Sequence, residues 1–341
     1  MYVAIAGEVV IRRSVLLRNF VLNGQESASN PLLHLLASVG VHAKKNRTSI
    51  QINVAMKIDK EKNNQSLVEL YDTDIESIID KRYHNGADLW TTEDKRIYKG
   101  APFSTLESLL MLIELETNSA IPIIKDATEL ILSLWRTDGR FQVSPKGAIY
   151  PCHTANVARV LCRLGYASDE RLVKTFDHLL EIQHDDGGWR CNTFKFGRGE
   201  ETVFSNPGTT LAVLDAFRYT KWLNTDNRLN KAVESLLNHW ETRKPMGPCH
   251  YGIGKLFMQV EYPFFRYNLF FYVYVLSFYE RAKKDKRFID ALNTLKSKMD
   301  KGKIIVENPN RKIANLKFCK KGEPSELATK RYTEIIENLK Q

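Results

Sequence analysis

The feature that most limits what this chain can fold into is a unit that recurs from Leu67 onward: a helix, a glycine turn, a loop, and a second helix opened by proline. Its sharpest copy is Gln183-His-Asp-Asp-Gly-Gly-Trp189. Gly187-Gly188 stops a helix, and Asp185-Asp186 before it favours a turn over another helical residue. Gln183 and Trp189 flank that turn, an amide able to bond main-chain groups and a large ring able to stack on a neighbouring element.

Five copies follow the plan. Leu67–Tyr83 and Pro102–Glu116 are expected as helices around the Asn85-Gly86 turn, with Trp90 just beyond it. Asp126–Trp135 and Pro151–Leu164 flank Asp138-Gly139, and Arg171–Ile182 and Pro207–Tyr219 flank Gly187-Gly188. Leu229–Trp240 and Pro263–Tyr279 flank Met246-Gly247, and Phe288–Met299 and Pro324–Leu339 flank Lys301-Gly302. Proline suits a first helical turn, where its missing N–H costs nothing. The period, roughly 50 residues, is longer than that of tetratricopeptide or HEAT arrays. The first helix of each pair carries charge on one face; the second is apolar nearly all round, mildly in Ala155–Leu164 and most strongly over 264–276. One half-wet and one buried helix per repeat predicts an all-α protein in two concentric layers.

Residues 1–66 lack this regularity and read as an irregular N-terminal extension ahead of a repeat domain over 67–341. Val9–Leu22 and Pro31–Val39 fit helices, whereas Ser49–Ile58 fits a short strand or more helix. With 43% hydrophobic and 26% charged residues the composition is that of an ordinary globular protein. No stretch approaches the roughly 18 apolar residues of a membrane span. Glu8 interrupts the apolar start and no basic segment precedes it, so an export signal is not expected. Five cysteines, an odd number, then fit reduced thiols in the cytoplasm. The net charge of +10 is scattered in pairs such as Arg12-Arg13 and Lys283-Lys284, without a nucleic-acid motif, so nucleic acid is not the expected partner.

The turn at Gln183, Gly187 and Trp189 matches the Gln-x-x-x-Gly-x-Trp repeat, and with the helix-pair plan it resembles the superfamily of α/α toroids. That superfamily holds the triterpene cyclases and the β subunits of protein prenyltransferases. The chain is most similar there to short bacterial proteins labelled as prenyltransferase or squalene-oxidase-repeat proteins. The full motif appears once; the other turns keep the glycine and lose Gln or Trp. The resemblance implies an α/α toroid of about five helix pairs with its active site at one mouth, where the N-termini of the inner helices converge. Such a mouth attracts anions, because free N–H groups and helix dipoles point into it.

The candidate chemistry therefore lies just before each inner helix. Pro151-Cys152-His153 and Pro248-Cys249-His250 are identical tripeptides, and Cys191 and Cys249 hold matching places in successive repeats. Cys152, His153, Cys191, Cys249 and His250 include the donors of a three-ligand zinc site with one open position; packed loop residues and a metal-free catalytic thiol are the other readings. The prenyltransferase zinc site does not carry over, since Ser205-Asn-Pro-Gly208 stands where its Asp and Cys belong. The cyclase Asp-x-Asp-Asp and a magnesium-binding Asp-Asp-x-x-Asp are absent as well. His153, Cys152, Arg266 and Tyr267 are the candidate catalytic residues. Arg266 suits a phosphate or carboxylate, or equally a loop acid. Phe265, Phe271, Glu323 and Ser325 are candidate substrate contacts, with Ser325 also an N-cap candidate. The expected function is a cyclase- or prenyltransferase-like enzyme acting on a small apolar or anionic, isoprenoid-type substrate, with zinc as the one cofactor considered. The alternative is a non-catalytic toroid that binds a peptide, lipid or nucleic acid.

Overall fold

Helix boundaries in this chain follow cap chemistry. The computed structural model describes residues 69–191, 198–220, 223 and 226–340. The expected extension, 1–66, lies outside them. Residues 69–79 are helical and run into the 3-10 turn Asp80–Tyr83. Then follow α1 (Thr105–Glu114), α2 (Pro122–Ser133), α3 (Pro151–Arg163), α4 (Glu170–Glu181) and α5 (Pro207–Phe217). They are succeeded by α6 (Asn227–Thr242), α7 (Leu269–Leu276), the single turn α8 (Glu280–Lys283), α9 (Lys286–Lys296) and α10 (Glu326–Asn338). Strands β1 (Met299–Asp300) and β2 (Lys303–Ile304) form a two-stranded antiparallel sheet around Lys301-Gly302. The described chain is largely helical.

Pro151 and Pro207 take the first positions of α3 and α5, as the spacing predicts. Pro102, Pro263 and Pro324 instead precede their helices. In each case a polar side chain a few residues on accepts a free main-chain N–H and sets the start: Ser104 from Glu107, Asn268 from Phe271 and Ser325 from Ala328. α2 begins at Pro122, earlier than Asp126. The helices α4, α6 and α9 share a start that the sequence reading missed. Asp169, Asp226 and Asp285 accept the main-chain N–H of Arg171, Arg228 and Arg287, and each arginine side chain folds back onto the same carboxylate.

The glycine turns lock successive repeats together. Gly187 has φ +90°, and a Cβ there would lie 2.5 Å from the main chain of Lys231 in α6. Gly139 stands against Lys174 of α4 in the same way, 2.6 Å from its carbonyl oxygen. Gln183 Nε2 donates to the carbonyl oxygens of Gly187, at 2.6 Å, and Arg228, at 3.0 Å, tying turn to next helix. Trp189 is fully buried beside Phe217, and its indole N–H donates to Leu179 O at 2.6 Å. Trp90 makes the equivalent bond to Ile78 O at 2.8 Å, so the first repeat preserves the device without the full motif.

The second helices of the pairs pack in sequence: α1 on α3, α3 on α5, α5 on α7 and α7 on α10. α10 meets α1 through Arg331–Glu114 and Lys330–Glu116. α4, α6 and α9 pack on α3, α5 and α7. Every residue of α7 and all of α5 but Gly208 are buried. Inside this apolar set sit buried charges. Asp215 accepts from Arg159 at 2.8 Å and Arg218 at 2.6 Å, while Glu114 accepts from Arg163, from Arg331 and from the Tyr262 hydroxyl at 2.6 Å. No helix among the described residues is long and apolar enough to cross a membrane.

Candidate functional site

A cavity of about 330 Å³ opens where α3, α5 and α7 begin. Cys152, Asn156 and Arg159 of α3 line it, with Gly208, Thr209 and Ala212 of α5 and Phe271 of α7. The segment before α7 adds Tyr251, Leu256, Phe257, Glu261, Phe265, Arg266 and Tyr267, and Asn308 completes the lining. Apolar and aromatic walls with a few convergent polar groups are the usual make-up of a small-molecule site.

The polar groups differ in freedom. Arg159 is buried and committed: it donates to Asp215, to Phe264 O at 3.0 Å and to Asn156 Oδ1 at 3.3 Å, with its guanidinium 4.4 Å from the Phe271 ring centre. Arg266 stands at the rim with 61% of its side chain exposed, and its fork grips the buried Glu261 at 2.8–3.0 Å. Burial outweighs this partner and holds the Glu261 carboxyl above the usual carboxylate range. The Tyr267 hydroxyl oxygen lies 2.9 Å from His239 Nδ1, and His239 Nε2 lies 3.1 Å from Lys244 O. A carbonyl only accepts, so Nε2 carries the proton and Nδ1 accepts the Tyr267 hydroxyl. Burial brings the His239 imidazole down to about 4, which leaves it neutral at pH 7.

Of the candidate residues named from sequence, Cys152, Phe265, Arg266, Tyr267 and Phe271 therefore line one cavity. Phe265, Arg266 and Tyr267 do so from the bend before α7, not from the helix itself, because Asn268 is its cap. The rest lie elsewhere. His153 stacks on Tyr98 at 4.8 Å and meets Tyr150 edge-on at 4.9 Å; burial lowers its imidazole to about 4. His250 is half exposed, 3.6 Å from Glu201. Ser325 is the buried cap of α10 and donates to Phe318 O at 2.5 Å; Glu323 is exposed beside Lys320.

Cys152, Cys191 and Cys249 are close enough to couple in charge. Burial pushes the Cys152 thiol up to about 12, and the charges of Cys191 and Cys249 push in the same direction. Asn206 holds the neighbourhood, donating its N–H to Trp189 O and accepting that of Cys249 at 3.0 Å. Among the described residues no three His, Cys, Asp or Glu side chains are gathered as a metal ion requires.

Asn156, Arg159, Thr209, Glu261 and His239 were missed by sequence reasoning. Arg159 and Asp215 had a signal, since each interrupts an apolar run. Glu261 had another, standing just ahead of Pro263 where the resemblance directs attention. His239 had none, because it reads as one polar residue of a mixed helix. No family model matches the chain, and no curated protein compared with it matches.

Proposed function

We propose that the helix pairs close into an α/α toroid and that the cavity at its mouth is the site of a cyclase- or prenyltransferase-like enzyme acting on an apolar substrate with an anionic head. The observation that carries this reading is the cavity, where an aromatic wall of Phe257, Phe265 and Phe271 meets the rim cation Arg266. The contact of α10 with α1 supports ring closure.

In this reading Arg266 exchanges its grip on Glu261 for the substrate anion, a fork-on-oxyanion contact worth more at a half-buried rim than in water. Release of that ion pair leaves Glu261 buried without a cation, which favours its protonated form and makes it an acid facing the cavity. Tyr267, its hydroxyl proton held by neutral His239, offers its oxygen to the substrate as an acceptor and orients it. Cys152, its thiol pushed up by burial, serves in this reading to shape the wall. No step requires a metal.

Incubation with prenyl diphosphates, followed by mass spectrometry and diphosphate assay, tests the proposal. New product lost in Glu261→Gln and Tyr267→Phe supports it. Tight binding without product favours the non-catalytic reading, which the fixed pairing of Arg159 and the protonated Cys152 already suit. Absence of binding sinks the enzyme reading.

A further inference from the structure

On the other side of the α3 start lies a second cavity, about 220 Å³, that shares no lining residue with the first. Its charged lining is entirely basic or imidazole: Arg140, Arg190, His178 and His184. We infer that this cavity is a binding site for a small organic phosphate, its phosphoryl group held by Arg190, Arg140 and the two imidazoles and its organic part lying against Ile149, Ile182 and Tyr150.

Two acids stand close to this lining, Asp138 on Arg140 and Asp186 beside His184, and each is shared with other donors. Asp138 is engaged by the Arg140 side chain at 2.6 Å and by its main-chain N–H at 3.2 Å, with Arg136 also at 3.5 Å. One carboxylate thus faces two guanidinium groups. Asp186 accepts from Ser205 N at 2.7 Å, Ser205 Oγ at 2.5 Å and Gly188 N at 3.1 Å. Its Oδ1 is 3.3 Å from His184 Nδ1, but without hydrogen-bond geometry, so that buried nitrogen has no partner. Arg190 Nε is likewise buried without an acceptor among the described residues. A guanidinium N–H held dry and unpaired calls for an acceptor from outside. Burial and then Arg140 lower the His178 pKa, the response of an imidazole beside a cation that its carboxylate does not fully cancel.

Two further features choose phosphate. Tyr150 caps α3 without a side-chain bond, and Tyr150 and Pro151 bring the positive end of this thirteen-residue helix to the cavity lining. The guanidinium fork matches the paired oxygens of a phosphoryl group. Ile149 and Ile182 give the organic part an apolar surface, which distinguishes a phosphate ester from the free ion.

Calorimetric titration of the full chain with phenyl phosphate, inorganic phosphate and phenol tests the inference. Phenyl phosphate is expected to bind more tightly than inorganic phosphate, and phenol not at all. Arg190→Gln is expected to weaken phenyl phosphate by about tenfold or more, the loss of one charge-assisted bond, with unchanged circular dichroism. On the unmutated protein, the imidazole resonances of His178 and His184 should move with phenyl phosphate while His239 stays still. Equal affinity for phenol, an unaltered Arg190→Gln variant, or still resonances at His178 and His184 would each overturn the assignment.

Discussion

Arg331 Nε donates to Glu114 Oε2 at 2.9 Å across 217 residues, joining the last helix to α1. Glu114 is wholly buried and receives Arg163 and Tyr262 as well, so one carboxylate balances two guanidinium groups in the interior. Removing its charge strands Arg163 and leaves Arg331 with Glu334 alone. Glu114→Gln is expected to destabilise the fold by about 3–5 kcal/mol, read from the urea midpoint. A loss under about 1 kcal/mol, the value of an exposed pair, would show that the site is wet.

The same carboxylate sets part of the acid limb. Burial alone would raise its pKa, but Arg163 and Arg331 prevail and hold it well below the ordinary range. A depressed folded pKa means that its contribution is complete above the unfolded value near 4.3 and is lost as pH falls through the folded value. Acid unfolding of the wild type should therefore steepen below about pH 4, and Glu114→Gln should flatten that limb.

His153 and His239 act in the window above. Burial lowers both imidazoles from 6.5 to about 4. Between those values the unfolded chain binds protons that the folded one refuses, so stability falls as pH drops from 6.5 toward 4. Proton NMR should show both rings still neutral at pH 5.5. A midpoint near 6.5 for either would place it in water.

Trp90 and Trp189 should respond alike, because each indole N–H serves a carbonyl at the end of the preceding helix. Either tryptophan changed to phenylalanine leaves that buried oxygen bare and is expected to cost about 1–3 kcal/mol. Thermal denaturation of the pair compares them. A large loss at Trp189 alone would mean that the first repeat does not use the device.

Cys152 should be slow toward iodoacetamide at pH 7–8, its thiol lying near 12, and mass-spectrometric labelling rates give the comparison with Cys249, whose thiol burial also raises. Metal analysis belongs with it: near-stoichiometric zinc, lost in Cys249→Ala, would assign an ion to the thiol group and displace the metal-free scheme.

The helix-pair plan was legible because each signal acts within a few residues. A glycine such as Gly187 ends a helix by its φ, and Pro151 and Pro207 open one by lacking an N–H. Where proline and a capping side chain competed, at Pro263 and Asn268, the cap prevailed, and with it went the expectation that Arg266 and Tyr267 ride on a helix. The cavity was legible only as a direction along the chain. Cys152, Phe265, Arg266, Tyr267 and Phe271 face it together, whereas His153 and His250, each next in sequence to a cysteine, turn to Tyr98 and to Glu201.

The sequence by itself determined the repeat, its turns and the class of the fold, since periodicity and caps are properties of neighbours along the chain. Only the tertiary structure decided which groups are free to act. Arg159 and Arg266 read alike as letters, but one is held by Asp215, Asn156 and a carbonyl while the other stands at a rim with a single partner. The Gln183–Trp189 turn, rich in acids and an aromatic ring, proved to be the fastening between repeats. The basic cavity beside it joins Arg140, His178 and Arg190 from three segments that no local pattern links. Partners across such distances are chosen by packing, and they fix the charge, protonation and reach on which chemistry depends.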